Sequence, residues 1–241
     1  LCVGFYLLLK EQPIPAGVVW SLLLLKPQYF FAAAFVALVA ALAGRFKAVL
    51  AMSLGVISLL VLTVALFSPA VAWQWLVSHK VSDAYFFSGL EGIPSHLITG
   101  LPANLLVLLP VDARSAAKLP LYGCAAFAWL LGLWCCTNLR KVTIGTSAQI
   151  SVAFIIGLIL SALTMPHLLY YDLCVLLPAG ALLLARKGPL PTDNVLRTIG
   201  AIGWIVVSLF LPLLLAYANY KTLPLLLETI LLALFLILLW R

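Results

Sequence analysis

Charge is what this sequence has least of. Lys, Arg, Asp and Glu make up 9% of its 241 residues, against about a quarter in ordinary soluble domains. So thin a supply cannot wet the surface of a soluble fold, which excludes a soluble enzyme, a disordered tail and a secreted disulfide scaffold. Acidic residues are the scarcest, seven against fourteen Lys and Arg. The resulting net charge of +7 is scattered singly between apolar runs. With no basic stripe interleaved with aromatics, it does not point to nucleic acid as a partner. The five cysteines lie inside apolar runs without CxxC spacing, so they read as small buried hydrophobes rather than ligands or bridges. HExxH, GxSxG and P-loop patterns are all missing, and no metal or cofactor is expected. No internal repeat relates the two halves, which weakens a transporter reading.

What the sequence does have is hydrophobic residues, 65% of the chain, gathered in runs of membrane-spanning length. The expected fold class is all-α, a polytopic transmembrane helical bundle. Eight spans are read at Ile14–Leu25, Tyr29–Ala43, Ala48–Phe67, Leu119–Thr137, Ala148–Thr164, Leu168–Ala185, Thr198–Tyr217 and Leu223–Trp240. A partial ninth, Leu1 to Leu9, is too short to cross a hydrocarbon core of about 30 Å. It has no charged n-region and no cleavage site of a signal peptide. Residues 1–241 are therefore expected to form one transmembrane domain truncated at its N-terminus, with 68–118 as an extracytoplasmic loop. The second and third runs are short and flank Lys26-Pro27-Gln28. Pro27 removes a backbone donor and steers Lys26 away from helical geometry. Either the two runs extend through these polar residues or they are tilted or broken helices, and the element is a functional break lining a wet cavity or a plain interfacial turn.

Alternating the sides from a cytoplasmic Lys10 puts nine basic residues in short inner loops: Lys10, Arg45, Lys47, Arg140, Lys141, Arg186, Lys187, Arg197 and Arg241. The outer side keeps Lys26, Lys80, Arg114, Lys118 and Lys221. This bias is the positive-inside pattern of a multi-pass protein in the cell's inner (plasma) membrane. Five of the seven acids and all three histidines, His79, His96 and His167, then fall toward the outer face. Potential chemistry is concentrated there.

The outer loop Ser68–Lys118 is too rich in Trp, Tyr, Phe and Leu for a solvated linker. Its four prolines cut it into pieces expected to be short amphipathic or re-entrant helices at headgroup level, or a compact cap with no ligand. Arg114 and Lys118 either grip a lipid phosphate, for which Arg offers a planar fork, or anchor a helix end. The most polar interruption between spans is Pro166-His167-Leu168-Leu169-Tyr170-Tyr171-Asp172. Ionisable groups at membrane depth are costly and by default functional. His167 and Asp172, five apart, do not share a helical face. They converge only in a turn, where Asp172 would orient the imidazole or hold a sugar hydroxyl; alternatively Asp172 caps the next helix and His167 sits among headgroups.

Two blocks carry a family resemblance. The first is Gly17-Val18-Val19-Trp20-Ser21 through Lys26-Pro27-Gln28, a span ending at Arg45-Phe46-Lys47, and another ending in Ser-Pro before Trp73 and Trp75. The second is Pro166-His167…Tyr171-Asp172-Leu173 followed by Leu176-Leu177-Pro178-Ala179. Together they resemble the C-terminal two thirds of glycosyltransferase family 87, multi-spanning GT-C enzymes similar to α-(1→2) mannosyltransferases that use polyprenyl-phosphate mannose. The resemblance covers Gly17 to Leu184. It implies an outward-facing site, a lipid-phosphate sugar donor, a glycan or glycolipid acceptor in the lipid bilayer's outer leaflet, and inversion at the anomeric carbon.

The family's general base is a carboxylate in the first outer loop, a region expected upstream of Leu1, so this chain is expected to be inactive alone. The resemblance carries over Lys26, Pro27, Gln28 and Tyr171 as substrate-binding candidates, with His167 and Asp172 as catalytic ones. Arg114 and His96 join the binding set from their place in the outer loop. Inversion calls for a base at the acceptor hydroxyl and a cation or donor at the departing phosphate. Lys26, Arg114 or His167 suits the phosphate, and Asp172 the sugar hydroxyls. The rival reading is a transporter or lipid flippase, and a third is a non-catalytic membrane subunit or a fragment lacking the base. The central thirds of the spans carry almost no charge, against what transport requires.

Overall fold

The structure is a computed structural model that describes residues 1–74, 77–78, 98–138, 146–165, 168–184, 198, 202–203 and 230–234. Apart from short turns and a two-stranded, two-residue β-pair, these residues are helical. Among them, three helices are long and apolar enough to cross a membrane: Lys47–Leu66, Val111–Asn138 and Thr146–Thr164. The chain divides into two compact units, Leu1–Ile93 and Pro94–Arg241. The expected spans Thr198–Tyr217 and Leu223–Trp240 lie almost wholly outside the described residues.

The first unit holds α1 (Cys2–Leu9), α2 (Pro13–Ser21), a 3-10 turn (Leu22–Leu25), α3 (Pro27–Leu42) and α4 (Lys47–Leu66). α1 and α2 form an antiparallel hairpin in which the Trp20 indole N–H donates to the Leu1 carbonyl at 3.0 Å. The indole lies over Gly4, where any Cβ would collide with it. α2 and α4 run side by side in parallel and close. A Cβ on Gly17 would strike the Ala48 carbonyl and stand 2.9 Å from the Ala51 Cβ, and one on Gly55 would come within 2.6 Å of the Ser21 Cβ. Gly17 and Ser21 on one helix thus face Ala48, Ala51 and Gly55 on the other. This is the small-residue spacing that lets membrane helices approach when no hydrophobic force drives them together.

Both turns at the other end of this unit close in the same way. After α3, Arg45 N–H donates to Ala40 and Gly44 N–H to Ala41, with Gly44 at φ +92°. After α1, Gln12 N–H donates to Leu7 and Glu11 N–H to Leu8, with Glu11 at φ +60°. Both are Schellman closures with a left-handed residue after the helix. Arg45 links the two. Its Nη1 donates to the Leu8 carbonyl at 2.6 Å, and its Nη2 pairs with the Glu11 carboxylate at 3.1 Å. The Lys10–Gln12 and Gly44–Lys47 turns therefore lie at one end of the unit.

Pro27 acts as the sequence predicts. Ahead of it the helix tightens into the 3-10 turn and Lys26 leaves helical space at φ −133°, ψ 84°. Pro27 then opens α3, where its missing N–H costs nothing. The predicted span Ile14–Leu25 is in consequence a nine-residue α-helix plus a four-residue 3-10 turn, together about 21 Å at 1.5 and 2.0 Å per residue.

The second unit contains β1 (Ile98–Thr99), α5 (Leu101–Leu108), α6 (Val111–Asn138), α7 (Thr146–Thr164), β2 (Leu168–Leu169), a 3-10 turn (Tyr170–Leu176) and α8 (Leu177–Leu184). α7 is its core: 16 of its 19 residues are buried, as fits a helix that is apolar all round. α5, α6, α8 and the 3-10 turn pack on it. Two polar contacts join α6 and α7. Gln149 Nε2 donates to the Cys136 carbonyl at 2.8 Å. Trp129 Nε1 donates to Thr164 Oγ1 at 2.9 Å, which itself donates to the Leu160 carbonyl at 2.7 Å.

Three expectations are corrected. The span read at Leu119–Thr137 belongs to a helix that begins eight residues earlier, because α6 starts at Val111 with Asp112 in its first turn. A helix does not stop where its apolar residues do, and hydropathy alone misplaced its start. The run Leu168–Ala185 is not one helix: it is strand, 3-10 turn and a short α-helix. Pro178 has no N–H for the Cys174 carbonyl and disfavours helical geometry at Leu177, so winding restarts there. Third, Cys135 and Cys136 are buried, but Cys2, Cys124 and Cys174 are exposed on the protein surface, and all five are free thiols.

Candidate functional site

The sequence candidates fall into both units, and each group is described in its own. In the first unit, Lys26 sits half-buried at the turn between the 3-10 segment and α3. Its Nζ donates to Tyr29 Oη at 3.3 Å and stands 4.6 Å from the centroid of the Tyr29 ring. The ammonium is thus held by its own turn, one residue ahead of the helix that Pro27 and Gln28 begin. A contact of this kind is worth about 0.5–1 kcal/mol where water has access. Gln28 is half-buried in the first turn of α3.

In the second unit, α6 follows α5 after the Leu109-Pro110 corner and contacts it, and Arg114 closes that corner. Its Nε donates to the Leu109 carbonyl at 3.1 Å, at the C-cap of α5. A cation there satisfies an orphan carbonyl and complements the helix dipole, which is the anchoring role. Lys118 lies one turn further along the same side of α6, also half-buried.

The feature that joins the polar segments is the β-pair. Ile98 pairs with Leu169 and Thr99 with Leu168, antiparallel. The chain just ahead of α5 is thereby tied to the chain just after α7. The Tyr170–Leu176 turn, which carries Tyr171 and Asp172, follows at once. Gly100 makes the junction tight. It sits at φ +127°, and a Cβ there would collide with the Met165 carbonyl oxygen. It is also the N-cap of α5, accepting the Asn104 N–H at 3.0 Å and the Asn104 side-chain amide at 3.4 Å. These groups gather at the end of α7 opposite the Gln149–Cys136 contact, hence opposite the α6–α7 connection.

Asp172 lies inside the 3-10 turn, five residues ahead of Leu177, so it is not the N-cap of α8. His96 and His167 lie outside the described residues; in sequence they stand two residues before Ile98 and one before Leu168. No group of three His, Cys, Asp or Glu side chains able to hold a metal occurs among the described residues. Sequence reasoning missed Gly100, Asn104 and the Trp129–Thr164 bond. A Gly followed by Leu-Pro at a helix start was a usable signal for the first. Nothing in spacing pairs residues 35 apart.

The chain is thus a helical protein with three helices, among the described residues, long and apolar enough to cross a membrane, and a junction of segments at one end of its second unit. Comparison with protein-family models, with characterised proteins and with solved structures finds no match.

Proposed function

We propose that the protein is a GT-C-type membrane glycosyltransferase. It moves a hexose, mannose by the resemblance, from a polyprenyl-phosphate donor to a glycan or glycolipid acceptor with inversion. The site faces outward on the plasma membrane, within a bundle of eight spans and one partial. Supporting the reading above all is the β-pair, because it ties the end of the outer loop to the segment bearing Tyr171 and Asp172. The roles follow from chemistry. Asp172 holds sugar hydroxyls, Tyr171 and His96 line the sugar, and His167 meets the phosphate. The prenyl tail lies between apolar helices. Arg114, already spent on the Leu109 carbonyl, serves the site by holding α5.

The test is transfer of radiolabelled mannose from polyprenyl-phosphate mannose in membranes expressing the complete gene. His167→Ala and Asp172→Asn should each lower the rate by about 100-fold or more, the usual scale for losing a positioned proton donor or acceptor, with membrane insertion unchanged. Wild-type rates in both variants would remove this segment from the site. A second reading, a transporter or flippase, draws on the two apolar segments broken by 3-10 turns, since transporters build sites at broken helices. It requires lipid movement without any glycosidic product, which the same assay reads.

A further inference from the structure

We infer that Gly100 is a positioning residue for the proposed site, and that β1 and β2 form a strap holding the Tyr170–Leu176 turn in register with α5. The inference rests on the transferase reading for its activity arm; the strap itself is read from backbone geometry.

Three observations converge on Gly100. Its φ of +127° is a conformation that L side chains rarely adopt. A Cβ there has no room against the carbonyl of Met165, the residue that follows α7. Its own carbonyl receives both the backbone and the side-chain N–H of Asn104, a buried residue of α5. Gly100 is therefore the point where the end of α7, the start of α5 and the strap meet. Any side chain at this position must push the Met165 carbonyl away. Among the described residues two pairs secure the strap, and Met165 stands three positions ahead of Leu168, so a push on Met165 disturbs the strap and with it the turn carrying Asp172. Displacements of about 1 Å in groups that orient a substrate cost up to about 100-fold in rate.

The test uses cysteine pairs in the complete protein in its membrane, with linked peptides identified by mass spectrometry. Facing residues of an antiparallel pair have Cα atoms about 4.5–5.5 Å apart, within the reach of a disulfide. Thr99→Cys with Leu168→Cys should cross-link under mild oxidation and keep at least half of the transfer rate, because the bond fixes the native register. In the Gly100→Ala background, cross-linking should fall several-fold. kcat for mannose transfer from polyprenyl-phosphate mannose should fall 10-fold or more, with the apparent donor KM within twofold.

Equal cross-linking and equal kcat in Gly100→Ala overturn the inference. So does failure of the Thr99–Leu168 pair to cross-link in the parent, or a cross-linked parent that has lost transfer, and both hold even if Gly100→Ala does not accumulate. A parent that cross-links but transfers no sugar even in the reduced state sinks the transferase reading instead, and the strap then stands on the cross-link in the Gly100→Ala background.

Discussion

Glu11 shows how a single residue can be costly and tolerated at once. It occupies the left-handed position after α1 at φ +60°, where a non-glycine residue loses about 1 kcal/mol or more. Its carboxylate meets Arg45, but the Glu11 side chain is 80% exposed while that of Arg45 is 17% exposed. An ion pair so open to water returns about 0–1 kcal/mol. Glu11→Gly should therefore leave stability within about 1 kcal/mol of the parent, backbone relief offsetting the lost pair. Arg45→Ala should cost about 2 kcal/mol, because it also strips the Leu8 carbonyl of a charged donor at 2.6 Å. Thermal unfolding in detergent would rank the two, and a larger loss for Glu11→Gly would refute this division. The sequence offered Arg45 only as a topological charge. Its partner 34 positions away is set by how two turns meet, and no local pattern encodes that.

At the scale of elements, legibility followed the chemistry of the backbone. Pro27 was readable because a missing N–H acts wherever the chain goes: of the readings the sequence left open the broken one holds, and α3 restarts at Pro27 itself, two residues ahead of the expected Tyr29. α4 and α7 were readable from unbroken apolar runs. The start of α6 was not, since a helix crossing into the headgroup zone keeps its hydrogen bonds while its composition changes. The small-residue contact between α2 and α4 was missed for another reason: Gly17 and Ser21 gain meaning only beside Ala48, Ala51 and Gly55. Gly17→Val should force those helices apart, with a loss of about 3 kcal/mol or more, at or beyond the upper end for overpacking because backbone rather than a side chain stands in the way. Gly123→Ala in α6 is the control. A Cβ there meets nothing within 4 Å, so the change should be neutral or stabilising by up to about 1 kcal/mol. Equal melting temperatures for the two variants would mean that α2 and α4 do not touch at Gly17.

For the whole molecule, the question that decides most is which side of the membrane the polar junction faces. Nine basic residues against five favour an outward face for the segments around Thr99 and Leu168. Within the second unit these segments sit at the end of α7 away from the connection to α6, and within the first unit the Arg45 clamp gathers the turns carrying Lys10 and Lys47. Sidedness also constrains the chemistry. Soluble activated sugars are made in the cytosol, so an outward site needs a donor that crosses with its own lipid, and a polyprenyl phosphate meets that need. An inward site would remove the reason for a lipid carrier. Single cysteines at Ser115 and at Thr146, in a background without the native five, separate the cases. A membrane-impermeant maleimide should label Ser115→Cys in intact cells and Thr146→Cys only after permeabilisation. The reverse pattern would turn the junction toward the cytosol, and with it the proposal of a lipid-linked donor would fall. Labelling of both positions from one side would mean that α6 does not cross the bilayer, and the count of spans would fall with it.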